Sequence, residues 1–235
     1  MIKKIFVFAF LVIALSLNAF SQDAMSKDKM MMTKEVTAAD AAKTALNVGA
    51  KMPTFSLKDA IGKTVKSDDL LKQGNLVVVF YRGAWCPFCN TYLRSLQKNI
   101  SDIKANGGNL VAISVENPDN SMKVSDKNKL DFSVLSDTNL DVARTFGIVY
   151  QLDAATNEKY KGYGIDLVKQ NGTAKPELPL SATYVINQKG EITFAFLEPD
   201  YTKRAEPSVI IETLKKMKAD SMKMEKKMDK MDKKN

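Results

Sequence analysis

Two uninterrupted apolar runs decide most of what this chain can fold into. Leu76-Val77-Val78-Val79-Phe80-Tyr81 and Leu110-Val111-Ala112-Ile113-Ser114-Val115 are rich in β-branched and large residues, with almost no polar alternation. A strand of this kind is buried on both faces, so it lies inside a sheet covered by helices on each side. Between the runs, Leu93, Leu96, Ile100 and Ile103 recur at threes and fours, the spacing of one helix face. Asn106-Gly107-Gly108 ends that helix. Strand, helix, strand at these lengths predicts a βαβ unit with parallel strands.

Around this unit, Phe55-Ser56-Leu57 and Thr64-Val65-Lys66 flank a Gly-containing turn at Asp59–Gly62 and predict a small hairpin. A polar loop from Glu116 to Ser121 and a Lys-rich helix candidate follow the second run. Phe132–Leu135 reads as a short strand and Leu140–Phe146 as a short helix, while 147–178 reads as a loop-rich insertion. Thr183–Ile186 and Ile192–Phe196 flank Asn187-Gln188-Lys189-Gly190, a second hairpin, and a helix starts at Ser208 after Pro207. Parallel unit, antiparallel hairpin and closing helix, in that order, predict an α/β thioredoxin-like fold. Its central mixed sheet is flanked by helices and extended by the N-terminal hairpin. The domain is expected over 47–212.

The two ends read differently. Met1-Ile2-Lys3-Lys4, the apolar stretch Ile5–Leu17 and the small residues of Ala19-Phe20-Ser21 have the layout of a secretory signal over 1–21. The stretch is short for a membrane span, and an uncleaved anchor is the alternative. The mature protein is therefore expected outside the cytoplasm, in the periplasm, with no stable membrane insertion after cleavage. Residues 22–46 read as a polar, Ala- and Met-rich linker. Residues 213–235 hold nine lysines against four acids, and with Lys3 and Lys4 they account for +7 of the net +8. The core is thus nearly neutral, without a basic stripe interleaved with aromatics, so no nucleic-acid partner is expected. Met217, Met224 and Met231 repeat at sevens, with Met228 near the same face. Thioethers suit Cu(I), but methionine spacing alone is a weak motif, and a solvated, partly helical tail that associates weakly through its Met face is the favoured reading.

The chain has no histidine and two cysteines. His-ligated metals, Ser-His-Asp triads and Cys-His dyads are excluded, as is a four-thiolate cluster within one chain. No cofactor or metal is expected. What remains is Arg82-Gly83-Ala84-Trp85-Cys86-Pro87-Phe88-Cys89-Asn90, between the first buried strand and the long helix. Active sites of parallel sheets collect at that strand end. Pro87 suits the first helical position, which makes Cys86 the N-cap and Cys89 the third helical residue. A thiolate at the N-cap meets free amides and the positive helix end, so the Cys86 pKa is expected to fall from about 8.5 to near 7 or lower. Arg82 adds to this if it turns toward the sulfur. Cys89, one turn in, is expected to be the more buried, higher-pKa resolving partner. Trp85 offers a flat apolar wall beside the sulfur. A static disulfide would close a loop too small to stabilise much, and a zinc half-site would need a second copy.

The run Phe80-Tyr81-Arg82-Gly83, then Trp85-Cys86-Pro87-Phe88-Cys89-Asn90, resembles the alkyl hydroperoxide reductase/thiol-specific antioxidant superfamily, in its peroxiredoxin-like branch with a WCPFC centre. Val48-Gly49, Pro53–Leu57, Val134–Asp137, Ala182–Asn187 and Pro199-Asp200-Tyr201 agree. The resemblance covers 47–212. It implies a thioredoxin fold and reduction of hydrogen peroxide or organic hydroperoxides, with electrons from thioredoxin or a similar dithiol. Several features of the family pattern are replaced. The Thr or Ser three residues before the peroxidatic Cys is Gly83, and the Pro seven before it is Val79. The activating Arg before the later strand is Ser181, and the nearest proline to a thioredoxin-type cis-proline is Pro179. Arg82 or Arg204 is left to supply the positive charge, and Thr183 lies on the adjoining strand. The departures keep a second activity open, thiol–disulfide exchange on secreted proteins. A metal-binding module using the Met-rich tail is the third reading.

Overall fold

The computed structural model describes residues 35–232. The signal expected at 1–21, most of the linker and the last three residues lie outside the described residues. The unit from Val36 onward begins with α1 (Ala38–Thr44), capped by Thr37 and Asp40 in a reciprocal capping box. Ala41 of α1 is fully buried in the core, and the amide of Leu46 donates to the carbonyl of Phe146.

The elements that follow are β1 (Ser56–Asp59), β2 (Thr64–Lys66), α2 (Ser67–Gln73), β3 (Asn75–Phe80), α3 (Pro87–Lys98), α4 (Ile100–Ala105) and β4 (Gly108–Ser114). Then come α5 (Pro118–Asn128), β5 (Ser133–Ser136), α6 (Asp141–Thr145), β6 (Val149–Gln151), α7 (Ala154–Gly162), α8 (Leu167–Asn171), β7 (Glu177–Pro179), β8 (Thr183–Ile186), β9 (Ile192–Phe196) and α9 (Pro207–Asp232). Seven strands form one mixed sheet in the order β2-β1-β5-β4-β3-β8-β9. β3, β4 and β5 are parallel; β8 runs antiparallel to β3, β9 to β8, and β1 to both β5 and β2. The thioredoxin-like architecture and the hairpin extension are thus both present.

The uninterrupted apolar runs have the expected cause. Leu76, Val78 and Phe80 of β3 face one core layer, with Val111, Ile113, Phe146 and Tyr184. Val77, Val79 and Tyr81 face the other, with Leu93, Leu96, Ile103, Ile210 and Leu214. Helices cover both faces, so no position in β3 after Asn75 has a polar option. β3 therefore delivers its C-terminal end, and the Arg82–Asn90 segment after it, to a point fixed from both sides.

Two expectations are corrected. The helix with period-matched residues from Leu93 to Ile103 is two helices, because Asn99 leaves helical geometry (φ −105°, ψ 6°) and turns its side chain back to the Ser95 carbonyl at 2.8 Å. The insertion 147–178 is not loop-rich: β6 and β7 pair antiparallel, and α7 and α8 fill the space between them, each capped by an aspartate, Asp153 and Asp166. The closing helix runs from Pro207 to Asp232 and so takes in the tail expected to be partly helical. Its first turns bury Ile210, Ile211 and Leu214, and Met222, Met224, Met228 and Met231 lie exposed beyond them. Among the described residues no helix is long and apolar enough to cross a membrane.

Candidate active site

The site grows from the end of β3. Tyr81 still donates its amide to Ile113 of β4 at 3.0 Å. The chain then leaves the sheet through Gly83, whose φ of +151° is open to glycine and strained for other residues. A Cβ at Gly83 would collide with Nε1 of Trp85. That explains the glycine where the family pattern carries a hydroxyl: the indole occupies the space. The Cys86 amide closes the turn on the Gly83 carbonyl at 3.1 Å.

Two side chains outside the segment hold the turn. The Glu116 carboxylate, just past the end of β4, accepts the Ala84 amide at 2.6 Å. Asn90 donates to the carbonyls of Ala84 (2.7 Å) and Cys86 (3.0 Å), and its own oxygen is held by Asn128, which Arg94 engages in turn. Glu116 is 3 % exposed, and burial pushes its pKa up to about 7 against the help of the Ala84 amide.

Cys86 is the N-cap of α3 and Pro87 its first residue. Both cysteines are free thiols with 1 % of their surface exposed. The mechanism expected for the Cys86 shift is corrected in its order of causes. The sulfur completes no capping hydrogen bond to the first turn. Its pKa is lowered to about 6 first by the Cys89 thiol donating to it, against the cost of burial, then by the nearby Cys89 amide and the charges of Arg82 and Arg204. The same contact and deeper enclosure push Cys89 well above the ordinary thiol value, because the proton it lends to Cys86 is the one it would have to lose.

Arg82, 2 % exposed, turns back along the segment to bring Nη1 within 3.9 Å of the Cys86 sulfur. Its Nη2 donates to the Tyr160 hydroxyl. Its guanidinium stands over Tyr201 at 3.8 Å, Trp85 at 4.9 Å and Tyr160 at 5.5 Å from the ring centroids. Arg204 lies across the helix start, with Nη2 at 3.5 Å from the Cys89 sulfur and Nη1 on the carbonyls of Tyr201 and Lys203. Thr183 is fully buried and shares a hydrogen bond of 3.3 Å with the Tyr92 hydroxyl beneath α3. Its hydroxyl is bonded to Tyr92 and not to either sulfur. Ser181 is buried with its hydroxyl unpartnered, and Pro179 pairs with Val149 in the small sheet.

A cavity of about 430 Å³ opens onto Cys86, walled by Arg82, Trp85, Phe88, Tyr160, Ile165 and Tyr201. The structure thus gathers Arg82, Trp85, Cys86, Pro87, Cys89 and Arg204 around one helix start. Asn90 of the same segment joins them, as do Glu116 and Tyr160, which the sequence pattern did not mark out. Glu116 follows the end of a buried parallel strand, which is a readable place for a functional group. Tyr160 lies in a segment whose pattern gave no cue. The arrangement can hold one sulfur as an anion, keep its neighbour protonated within reach, and admit a small molecule to the first.

The AhpC/TSA family matches residues 48–195. The chain is 32% identical to peroxiredoxin Bcp of Escherichia coli (strain K12) over 103 residues, which is 44% of this chain and 65% of that protein. It is 27% identical to the chloroplastic peroxiredoxin Q of Populus jackii over 151 residues, 64% of this chain and 60% of that protein. The chain therefore spans less than two thirds of the length of these relatives. Among solved structures, peroxidoxin BcpB of Mycobacterium tuberculosis superimposes with a TM-score of 0.59 at 20% identity, over 72% of this chain and 96% of that one. Peroxiredoxin Q of Xanthomonas campestris does so with 0.55 at 14% identity, over 70% and 91%. These two likenesses speak for the fold alone. With the family match running from the start of the domain through β8 and most of β9, the chain belongs to the AhpC/TSA family.

Proposed function

We propose that the protein is a thiol peroxidase of the WCPFC branch, with Cys86 as the attacking sulfur and Cys89 as the resolving one. The observation that carries this is the divided pair: a thiol held near pKa 6 beside one held protonated, at the mouth of a cavity. The Cys86 thiolate attacks the O–O bond of the peroxide. The distal oxygen stays on sulfur as a sulfenic acid, and the other leaves as water or an alcohol after taking a proton. The Cys89 sulfur then displaces that oxygen, forming the disulfide and releasing water. A thioredoxin-like dithiol returns two electrons and is itself oxidised. Arg82 supplies the positive charge beside the reacting sulfur that Ser181 cannot.

A second reading, exchange with disulfides of exported proteins, is favoured by Gly83 in place of a hydroxyl residue. Trp85 is the sole tryptophan and sits against Arg82, so its fluorescence reports both reactions. Reduced protein is mixed with hydrogen peroxide, cumene hydroperoxide or a small disulfide in stopped flow. Fast saturation by a peroxide that vanishes in Cys86→Ser supports the peroxidase. Reaction with the disulfide alone replaces it with the second reading. Residues 1–21 support export of the mature protein beyond the cytoplasm, tested by fractionating cells and sequencing the N-terminus, with Gln22 expected first.

A further inference from the structure

The charge beside Cys86 depends on residues far from it in sequence. A guanidinium with 2 % of its surface exposed has left water, and among the described residues no carboxylate pairs with it: it meets the Cys86 sulfur, one hydroxyl and three rings. Its Nε has no partner among the described residues. Ring faces are the negative end of an aromatic quadrupole and hold a cation without neutralising it. A carboxylate in their place would have bound Arg82 more tightly, but it would have cancelled the field at the sulfur and raised the thiol's pKa.

The rings come from three places. Trp85 belongs to the redox segment. Tyr160 is presented by α7, in the insertion between β6 and β7, and packs edge-on to Trp85 with centroids 5.5 Å apart. Tyr201 stands in the turn after β9, where Asp200 accepts the amide and hydroxyl of Thr202, and it meets Phe88 edge-on at 5.8 Å. The titratable or charged groups facing Arg82 are Tyr150, Tyr160, Cys86 and Cys89, and those facing Cys86 are Cys89, Arg82, Arg204, Tyr150 and Tyr160. No acid is among them.

We infer that Tyr160 and Tyr201 are positioning residues for thiol activation: they cage Arg82 as an unneutralised cation against the Cys86 sulfur, in the role left vacant by Ser181. The inference rests on the reading of Cys86 as the reactive sulfur, but it does not depend on which oxidant that sulfur meets. Without the cage, the long arginine side chain swings toward the open cavity and solvent, and the thiolate loses its nearest charge. The insertion 147–178 thereby gains a role, since it carries one wall of the cage to the redox segment.

The test reads the thiolate itself. The absorbance of reduced protein near 240 nm, and the rate of alkylation by iodoacetamide, are followed from pH 4.5 to 9.5 in wild type, Tyr201→Leu, Tyr201→Phe, Tyr160→Phe and Tyr160→Leu. Expected is a rise of about one unit in the Cys86 inflection for the two leucine variants, which leaves roughly a tenth of the thiolate at acidic pH. Tyr201→Phe, which keeps the ring, stays at the wild-type inflection. Tyr160→Phe, which loses only the hydroxyl bond to Arg82, moves part of the way. Circular dichroism and thermal melting confirm that each variant is folded. Should either leucine variant fail to fold, the contrast between wild type and Tyr160→Phe carries the test. Folded leucine variants that titrate as wild type overturn the cage, and so does a Tyr160→Phe inflection identical to wild type when it is the remaining comparison. A peroxide-inert protein that shows these shifts overturns the peroxidase and keeps the cage.

Discussion

Cys86 and Cys89 are the same side chain one helical turn apart, equally hidden from solvent, and the fold drives their pKa values in opposite directions. The difference lies in what surrounds them. Cys86 faces a cation that three rings leave unneutralised and receives a proton contact from its neighbour. Cys89 sits beneath the turn, gives that contact, and meets Arg204, whose other donors are spent on backbone carbonyls. Helix position alone would have favoured Cys86, but the cap is not completed. Division of labour here is set first by the Cys89 thiol, then by the Cys89 amide, and only after these by the charges of Arg82 and Arg204.

The sharpest way to break the comparison is to remove each sulfur in turn. Cys86→Ser should lower the rate of peroxide consumption by roughly 10⁴-fold or more, as loss of a nucleophile does. Cys89→Ser should keep a first oxidation step and stop there, leaving a sulfenic acid at Cys86 that dimedone traps and mass spectrometry locates. Trapping at position 89 in a Cys86→Ser protein, with full turnover, would reverse the assignment.

The arginines come next. Arg82→Met should raise the Cys86 pKa from about 6 toward the ordinary thiol range and slow alkylation at pH 5 by about tenfold, one pKa unit's worth. Because the loss is one of thiolate fraction, it should fade by pH 9, where both proteins are ionised at Cys86. Arg204→Met should move the same inflection less, since its charge acts on Cys86 more weakly than that of Arg82. Equal shifts would mean that the cage confers nothing particular on Arg82.

How much of this is readable from sequence follows from the same contrast. The βαβ unit stands out because β3 and β4 are buried on both faces, which leaves a run that no helix or loop imitates. The two cysteines, Arg82 and Trp85 are neighbours in sequence, so their grouping at a strand end requires no knowledge of tertiary structure. Tyr160 is invisible for the opposite reason. α7 has no buried residue and β6 is three residues long, so neither carries a hydrophobic period. Glu116 is hidden because its partner is a backbone amide 32 residues away, and amides leave no trace in a sequence. The break at Asn99 escapes notice because a side chain bonding back to its own helix does not disturb the apolar spacing.

The loop that joins the two sulfurs to the sheet can be tested through Gly83. Gly83→Ala puts a Cβ into Trp85 at a positive φ, and the cost of strain of this kind is about 1–3 kcal/mol. Thermal melting of the reduced protein should fall accordingly. The displaced indole should also loosen the wall of rings over Arg82, so the Cys86 inflection should rise in the same variant. A melting point that falls with no change at Cys86 would separate fold stability from thiol activation and weaken the link between Trp85 and the cage.

The smallest effect concerns Glu116, on the opposite side of the loop from the rings. Its pKa is raised from the ordinary 4.5 to about 7 by burial, so the native state keeps a proton that the unfolded chain gives up. Between these values the native protein binds more protons than the unfolded one, and Glu116 therefore makes stability fall as pH rises from 4.5 to 7. Cys86 works the other way: its native value near 6 lies below the unfolded 9, so its contribution grows from pH 6 upward and is complete above 9. Glu116→Gln keeps an oxygen for the Ala84 amide and removes the titration. Urea unfolding of the reduced proteins at pH 4.5, 6 and 8 should show the variant gaining about 1–3 kcal/mol on wild type across that range, with the rising limb due to Cys86 left in place. Parallel curves would mean that Glu116 ionises as readily as an exposed acid. The hold on the loop would then come from Asn90 and Asn128, and the two sides of the helix start would differ in charge at the rings alone.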